Sequence, residues 1–154
     1  AQMQEVLLQS EKLREELTEL VKEDADAFTY VLNAFKLPKD SKMLEEVRSK
    51  AIEDATLYAA KIPMEVAEAS LRALALAEKV VLYGNLNTIS DGGSAGALAI
   101  ASLRSAAYNV RINLSYLNNR ESGISLLSKL EHIEKRAKEL DIQLSKALEQ
   151  RGGI

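Results

Sequence analysis

Apolar residues return at three- and four-residue steps along almost the whole chain, and strand-like alternation is scarce. This spacing predicts a first helix from Gln2 to about Lys36. Its inward stripe reads as Val6, Leu13, Leu17, Leu20, Phe28, Val31 and Phe35. Leu37-Pro38 ends it, because the residue before a proline is pushed out of the helical region. Asp40 or Ser41 can cap a second helix, with Leu44, Val47, Ala51, Ala55, Tyr58 and Ile62 facing inward. Pro63 is expected to break or bend that helix and to stand in the first turn of a third, which carries Met64, Ala67, Leu71, Leu74 and Val81. Gly84 suits a left-handed closing residue. The polar loop GNLNTISD follows, with Asp91 as cap of a fourth helix from Gly92 to about Leu117. That helix is apolar around most of its circumference, which predicts a central position. After the turn NNRES, a fifth helix runs from about Ser122 to Glu149, and RGGI is left as a frayed end.

Long helices with short connections predict an all-α, elongated up-and-down bundle of about five helices, one domain over residues 1–154. The first helix would be about 50 Å long at roughly 1.5 Å per residue. That is long for a chain of 154 residues, so one end is expected to pack on another subunit. Composition narrows the function classes. A net charge of −3 offers no basic stripe for nucleic acid. The absence of cysteine removes disulfides, thiolate metal sites and cysteine nucleophiles, and suits the cytoplasm. No uncharged apolar run is long enough for a membrane span, and the opening residues lack the apolar core of a signal peptide. The chain opens on Ala1 instead of Met, so its native start is expected to lie elsewhere.

Four places carry candidate chemistry. Asp24 lies one turn from Leu20 and one turn from Phe28, in the middle of the first helix's apolar stripe, where packing alone would not put a carboxylate. A buried carboxyl group has a raised pKa, useful for general acid–base work, although a partner cation on another helix would also explain it. The segment GNLNTISDGG leads into a helix N-terminus whose free N–H groups suit an anionic or carbonyl-rich ligand. Capping and close packing explain the same residues. Asn109 and Asn113 stand one turn apart on the fourth helix, and could orient a heterocycle or tie helices together. Lys36 and Lys39 flank the proline turn as mobile point charges, able to hold substrate carboxylates or merely solvated. His132, the one histidine, points away from its helix's stripe, which disfavours a histidine-based catalytic or metal site.

Taken in order, EDADAF, FKLPK, KIPMEVAE, GNLNTISDGG and NVRINL resemble the folate-dependent cyclodeaminase/cyclohydrolase family, from about Leu13 to the last helix. The resemblance implies an all-α homodimer that binds a tetrahydrofolate derivative as substrate near the dimer interface, without a metal. The implied reaction is cyclisation of 5-formiminotetrahydrofolate to 5,10-methenyltetrahydrofolate with release of ammonia. The alternatives are hydrolysis of the methenyl bridge on the same scaffold, or a non-enzymatic helical interaction module. The family's catalytic acid maps onto Asp24. Lys36, Lys39, Asn85, Ser90, Asp91, Asn109 and Asn113 map onto its other polar positions, as expected substrate contacts. The family's opening helix, with a proline and three glycines before Ser-Val, has no counterpart here and is expected to be missing from this sequence.

Overall fold

The first turn closes as its sequence requires: α1 (Gln2–Phe35) ends before Leu37-Pro38, and the Ser41 hydroxyl accepts from the Leu44 amide at 3.3 Å to cap α2 (Lys42–Tyr83). The computed structural model describes residues 2–154. Two further long helices follow, α3 (Ile89–Ser115) and α4 (Ile124–Gly152), each entered through a single 3-10 turn. Successive helices run in opposite directions, as expected for an up-and-down bundle, but there are four among the described residues instead of five.

The difference lies at Pro63, which sits inside a continuous α2. A mid-helix proline removes the amide that would bond the carbonyl four residues earlier, a loss of about 3 kcal/mol or more if unrelieved. That carbonyl belongs to Ala59, and the Asn113 side-chain amide donates to it from α3 at 3.0 Å. A neighbouring helix thus supplies the missing donor, and Pro63 itself is buried. Asn113 therefore acts here as a tie between helices.

Other expected boundaries shift for local reasons. Helix α3 starts three residues before Gly92, so Asp91 stands in its first turn and does not cap it. Gly84 is extended, with φ −78°, and not left-handed. Its amide bonds the Val80 carbonyl at 2.8 Å, and a Cβ there would lie 2.4 Å from that oxygen, so close approach is what demands glycine. The first half of the expected frayed tail, Arg151-Gly152, is instead part of α4: the Arg151 guanidinium donates to the carbonyls of Val81 and Gly84, closing the end of α2.

The centre is also occupied differently. Helix α2, not α3, packs against all three others. The main core joins α2, α3 and α4 through Met64, Leu74, Leu103, Val110, Leu130 and Leu140. Helix α1 lies outside it and is held on α2 by two smaller clusters, Val6 and Leu13 with Leu76, and Leu20 and Ala27 with Ile62. Small residues at the start of α3 serve this packing: a Cβ on Gly96 would lie 2.6 Å from Leu144. Arg111 and Glu134 join α3 to α4 by two bonds of 2.8 and 2.7 Å, and the hydrogen bond from Arg111 holds the Glu134 pKa below its ordinary value, against the opposing effect of burial.

Two outcomes follow from these ties. Asn113→Ala should cost about 1–3 kcal/mol in urea unfolding, because it leaves the Ala59 carbonyl without a donor. In a Pro63→Ala background the restored backbone amide takes that carbonyl, and the cost should drop by about 1 kcal/mol. Equal costs in both backgrounds would refute the tie. For the ion pair, a depressed folded pKa means stability that is present above Glu134's unfolded value and lost as pH falls through the folded one. Glu134→Gln should thus cost at most about 1 kcal/mol near neutral pH, the pair being partly exposed, and nothing at a pH below that depressed value.

Candidate active-site cleft

Helix α1 meets α2 through Val6, Leu13, Leu20, Ala27 and Ala34, a column with a strict seven-residue spacing. The expected stripe had followed the large side chains instead, and two of them, Phe28 and Phe35, are 62% and 52% exposed. Alanines let the two backbones approach closely, and that sets which way α1 faces. Asp24 belongs to the flanking column of Met3, Ser10, Leu17, Asp24 and Val31, whose other members are half-buried. Asp24 itself is exposed, so the expectation that it stands in the buried stripe is corrected. It is directed to the side of the contact line, where α1 and α3 stand apart over α2.

The space between α1 and α3 is a trough with α2 as its floor. Three cavities lie along it. One of about 430 Å³ is lined by Asp24, Phe28, Thr56, Asn109, Asn113 and Tyr116, among others. The next, of about 520 Å³, shares Asp24 and Asn109 with it and adds Ser102 and Ser105. The third, of about 610 Å³, lies toward the start of α3 and is lined by Arg14 and Asp91. Asp24 and Asn109 therefore mark the junction of two cavities, each within the size range of small-molecule sites.

The structure brings together some of the expected site residues and separates others. Asp24, Asn109 and Asn113 line one cleft. The Asn109 amide nitrogen donates to the Ser105 carbonyl at 3.0 Å, as that of Asn113 does to Ala59, so both amide oxygens are left as acceptors. Asp91 stands eighteen residues from Asn109 on α3, about 27 Å away at 1.5 Å per residue, and faces the far end of the trough. Ser90 is exposed in the first turn of α3. The Asn85 side chain accepts from the Asn87 amide at 3.0 Å and caps the 3-10 turn. Lys36 and Lys39 are exposed in the turn just beyond Phe35, outside the cavity lining but at the cleft's end. His132 is exposed on α4. Among the described residues, no group of three or more histidine, aspartate or glutamate side chains gathers as a metal site.

Two cleft residues escape the sequence reading. Thr56 is a buried polar residue on the floor, and Tyr116 closes the end of α3. Thr56 lies one position beyond Ala55 of the expected stripe. A hydroxyl set between Ala55 and Leu57 carries no periodic signal, so only the position of α3 reveals it.

The chain matches the family model described as formiminotransferase-cyclodeaminase over residues 1–132. It is 38% identical over 131 residues to a methenyltetrahydrofolate cyclohydrolase of Methylorubrum extorquens, an alignment covering 85% of this chain and 63% of that protein. It is 35% identical over 98 residues to a formimidoyltransferase-cyclodeaminase of Sus scrofa, covering 64% of this chain and 18% of that one. A crystal structure of formiminotetrahydrofolate cyclodeaminase from Thermotoga maritima matches with a TM-score of 0.79 at 28% identity, covering 91% of this chain and 66% of that one. The chain thus spans less than two thirds of the length of each of these relatives.

Because Asp24 is exposed, replacing it should hardly touch folding. Asp24→Asn is expected to change unfolding free energy by no more than about 0.5 kcal/mol in a denaturant titration. A gain of several kcal/mol would mean that the carboxylate is buried after all.

Proposed function

The chain belongs to the formiminotransferase-cyclodeaminase family, and from that premise we propose that it acts on the one-carbon unit carried between N5 and N10 of a tetrahydrofolate. The first reading is cyclodeamination of 5-formiminotetrahydrofolate, performed by a single domain over residues 1–154 within a cytoplasmic homodimer. The observation that carries it is the convergence of one carboxylate and two amides, Asp24, Asn109 and Asn113, on a cleft of about 430 Å³.

In this reading the formimino nitrogen enters protonated, N10 attacks the formimino carbon, the N10 proton must leave, and the resulting amino group departs as ammonia once it receives that proton. Asp24 carries the proton from the first nitrogen to the second. A carboxylate at the junction of two cavities can reach both ends of such a transfer. Asn109 and Asn113 offer fixed acceptor oxygens that orient the ring. The aromatic faces of Phe28 and Tyr116 flank the same space and suit a flat heterocycle. Lys36 and Lys39, beyond Phe35, hold the carboxylates of the folate tail as point charges. Dimerisation is supported by the apolar rims of the trough, where Val21, Phe28, Tyr108, Ile112 and Tyr116 are exposed.

A second reading is favoured by the 38% identity to a methenyltetrahydrofolate cyclohydrolase. There the same carboxylate takes a proton from water as it adds to the methenyl bridge. Supplying 5-formiminotetrahydrofolate and 5,10-methenyltetrahydrofolate in parallel separates the two. Ammonia together with methenyl absorbance is the outcome expected for the first, and decay of the methenyl absorbance alone for the second. Asp24→Asn should lower the turnover of either by about 10²–10⁴-fold. Absence of turnover on both substrates at any protein concentration removes the assignment.

A further inference from the structure

Thr56 is 4% exposed, and it lines the Asp24 cleft. A threonine inside a helix ordinarily turns its hydroxyl back onto the carbonyl four residues earlier. Thr18 and Thr29 of α1 do so, at 2.7 and 3.0 Å. No such back-bond joins Thr56, and the one fully enclosed side-chain atom without a partner among the described residues is a Glu68 oxygen, so the Thr56 hydroxyl opens on the cleft. A donor that opens on the cleft with no partner in the chain is placed to meet a ligand, and a ligand that covers it without accepting leaves it unpaired.

The cleft's other polar groups say what that partner looks like. Asp24 offers acceptor oxygens. The amide nitrogens of Asn109 and Asn113 each spend one N–H on a backbone carbonyl, which fixes the side chain's orientation and leaves its oxygen free to accept. The walls therefore take N–H groups, and the floor holds a hydroxyl able to donate.

We propose that Thr56 is a substrate-contacting residue, whose hydroxyl donates to a ring oxygen or nitrogen of a heterocycle that turns its N–H groups toward Asp24, Asn109 and Asn113. This rests on the folate reading above and deepens it, since it names the edge of the ligand that the cleft reads. A ring lacking that acceptor leaves the hydroxyl unpaired and is rejected.

The test uses the stable probe 5-formyltetrahydrofolate, with Thr56→Val as an isosteric loss of the hydroxyl and Thr56→Ser as its conservative rescue. Thr56→Val should weaken binding about three- to tenfold, while the melting temperature of the free protein stays level or rises. Thr56→Ser should bind nearly as the wild type does. Unchanged affinity in Thr56→Val overturns the proposal, as does a lowered melting temperature of the free protein, which would make the hydroxyl a structural group. If the wild type itself does not bind the probe, the folate reading falls and this inference falls with it. Binding by the wild type with no effect in the valine variant overturns the inference alone.

Discussion

A proline in the middle of a 42-residue helix leaves one carbonyl without its amide, and much of this molecule turns on how that gap is closed. The Asn113 amide reaches across from α3 and takes the Ala59 oxygen. One bond thereby keeps α2 unbroken, fixes the rotation of α3 against it, and presents the neighbouring Asn109 to the trough. A second polar tie, between the hydroxyls of Ser70 and Ser102 at 2.8 Å, lies about three turns further along the same pair of helices. Helix α2 is consequently a rigid floor with its neighbours set at fixed positions, the arrangement a preorganised site requires.

The site is assembled from three helices that do different jobs. Helix α1 brings the carboxylate on a flank and not on a packing face. Helix α3 brings amides whose orientation is already fixed by bonds to backbone carbonyls. Helix α2 supplies a largely apolar floor that carries the Thr56 hydroxyl. The division explains why Asp24 can be chemically available and mechanically neutral at once, since no packing contact depends on it.

Much of the fold was legible in the sequence. The helical class, the turn at Leu37-Pro38, the Ser41 cap and the exposed His132 follow from local rules that need no distant partner. The misses share a cause. Pro63 breaks a helix unless another element supplies the lost donor, and a one-dimensional reading has no sight of Asn113. Arg151 looks like a loose end until the carbonyls of Val81 and Gly84 stand beside it. On α1 the large side chains drew attention, whereas Ala27 and Ala34 make the contact. Within the site, Asp24, Asn109 and Asn113 were picked out and do converge. Asn85 turned out to serve its own turn, and Thr56 was silent because its role depends on what surrounds it.

The seven-residue column of α1 has a geometric corollary. A straight α-helix drifts by about 20° for every seven residues, so over the 28 residues from Val6 to Ala34 the contact line would rotate by about 80°. All five side chains are nonetheless buried, which means that α1 must wind about α2 as a left-handed coil. The winding carries the flanking column with it. Asp24 is thereby held level with the trough along a superhelical path, and the carboxylate's bearing is set by the pitch of the whole helix.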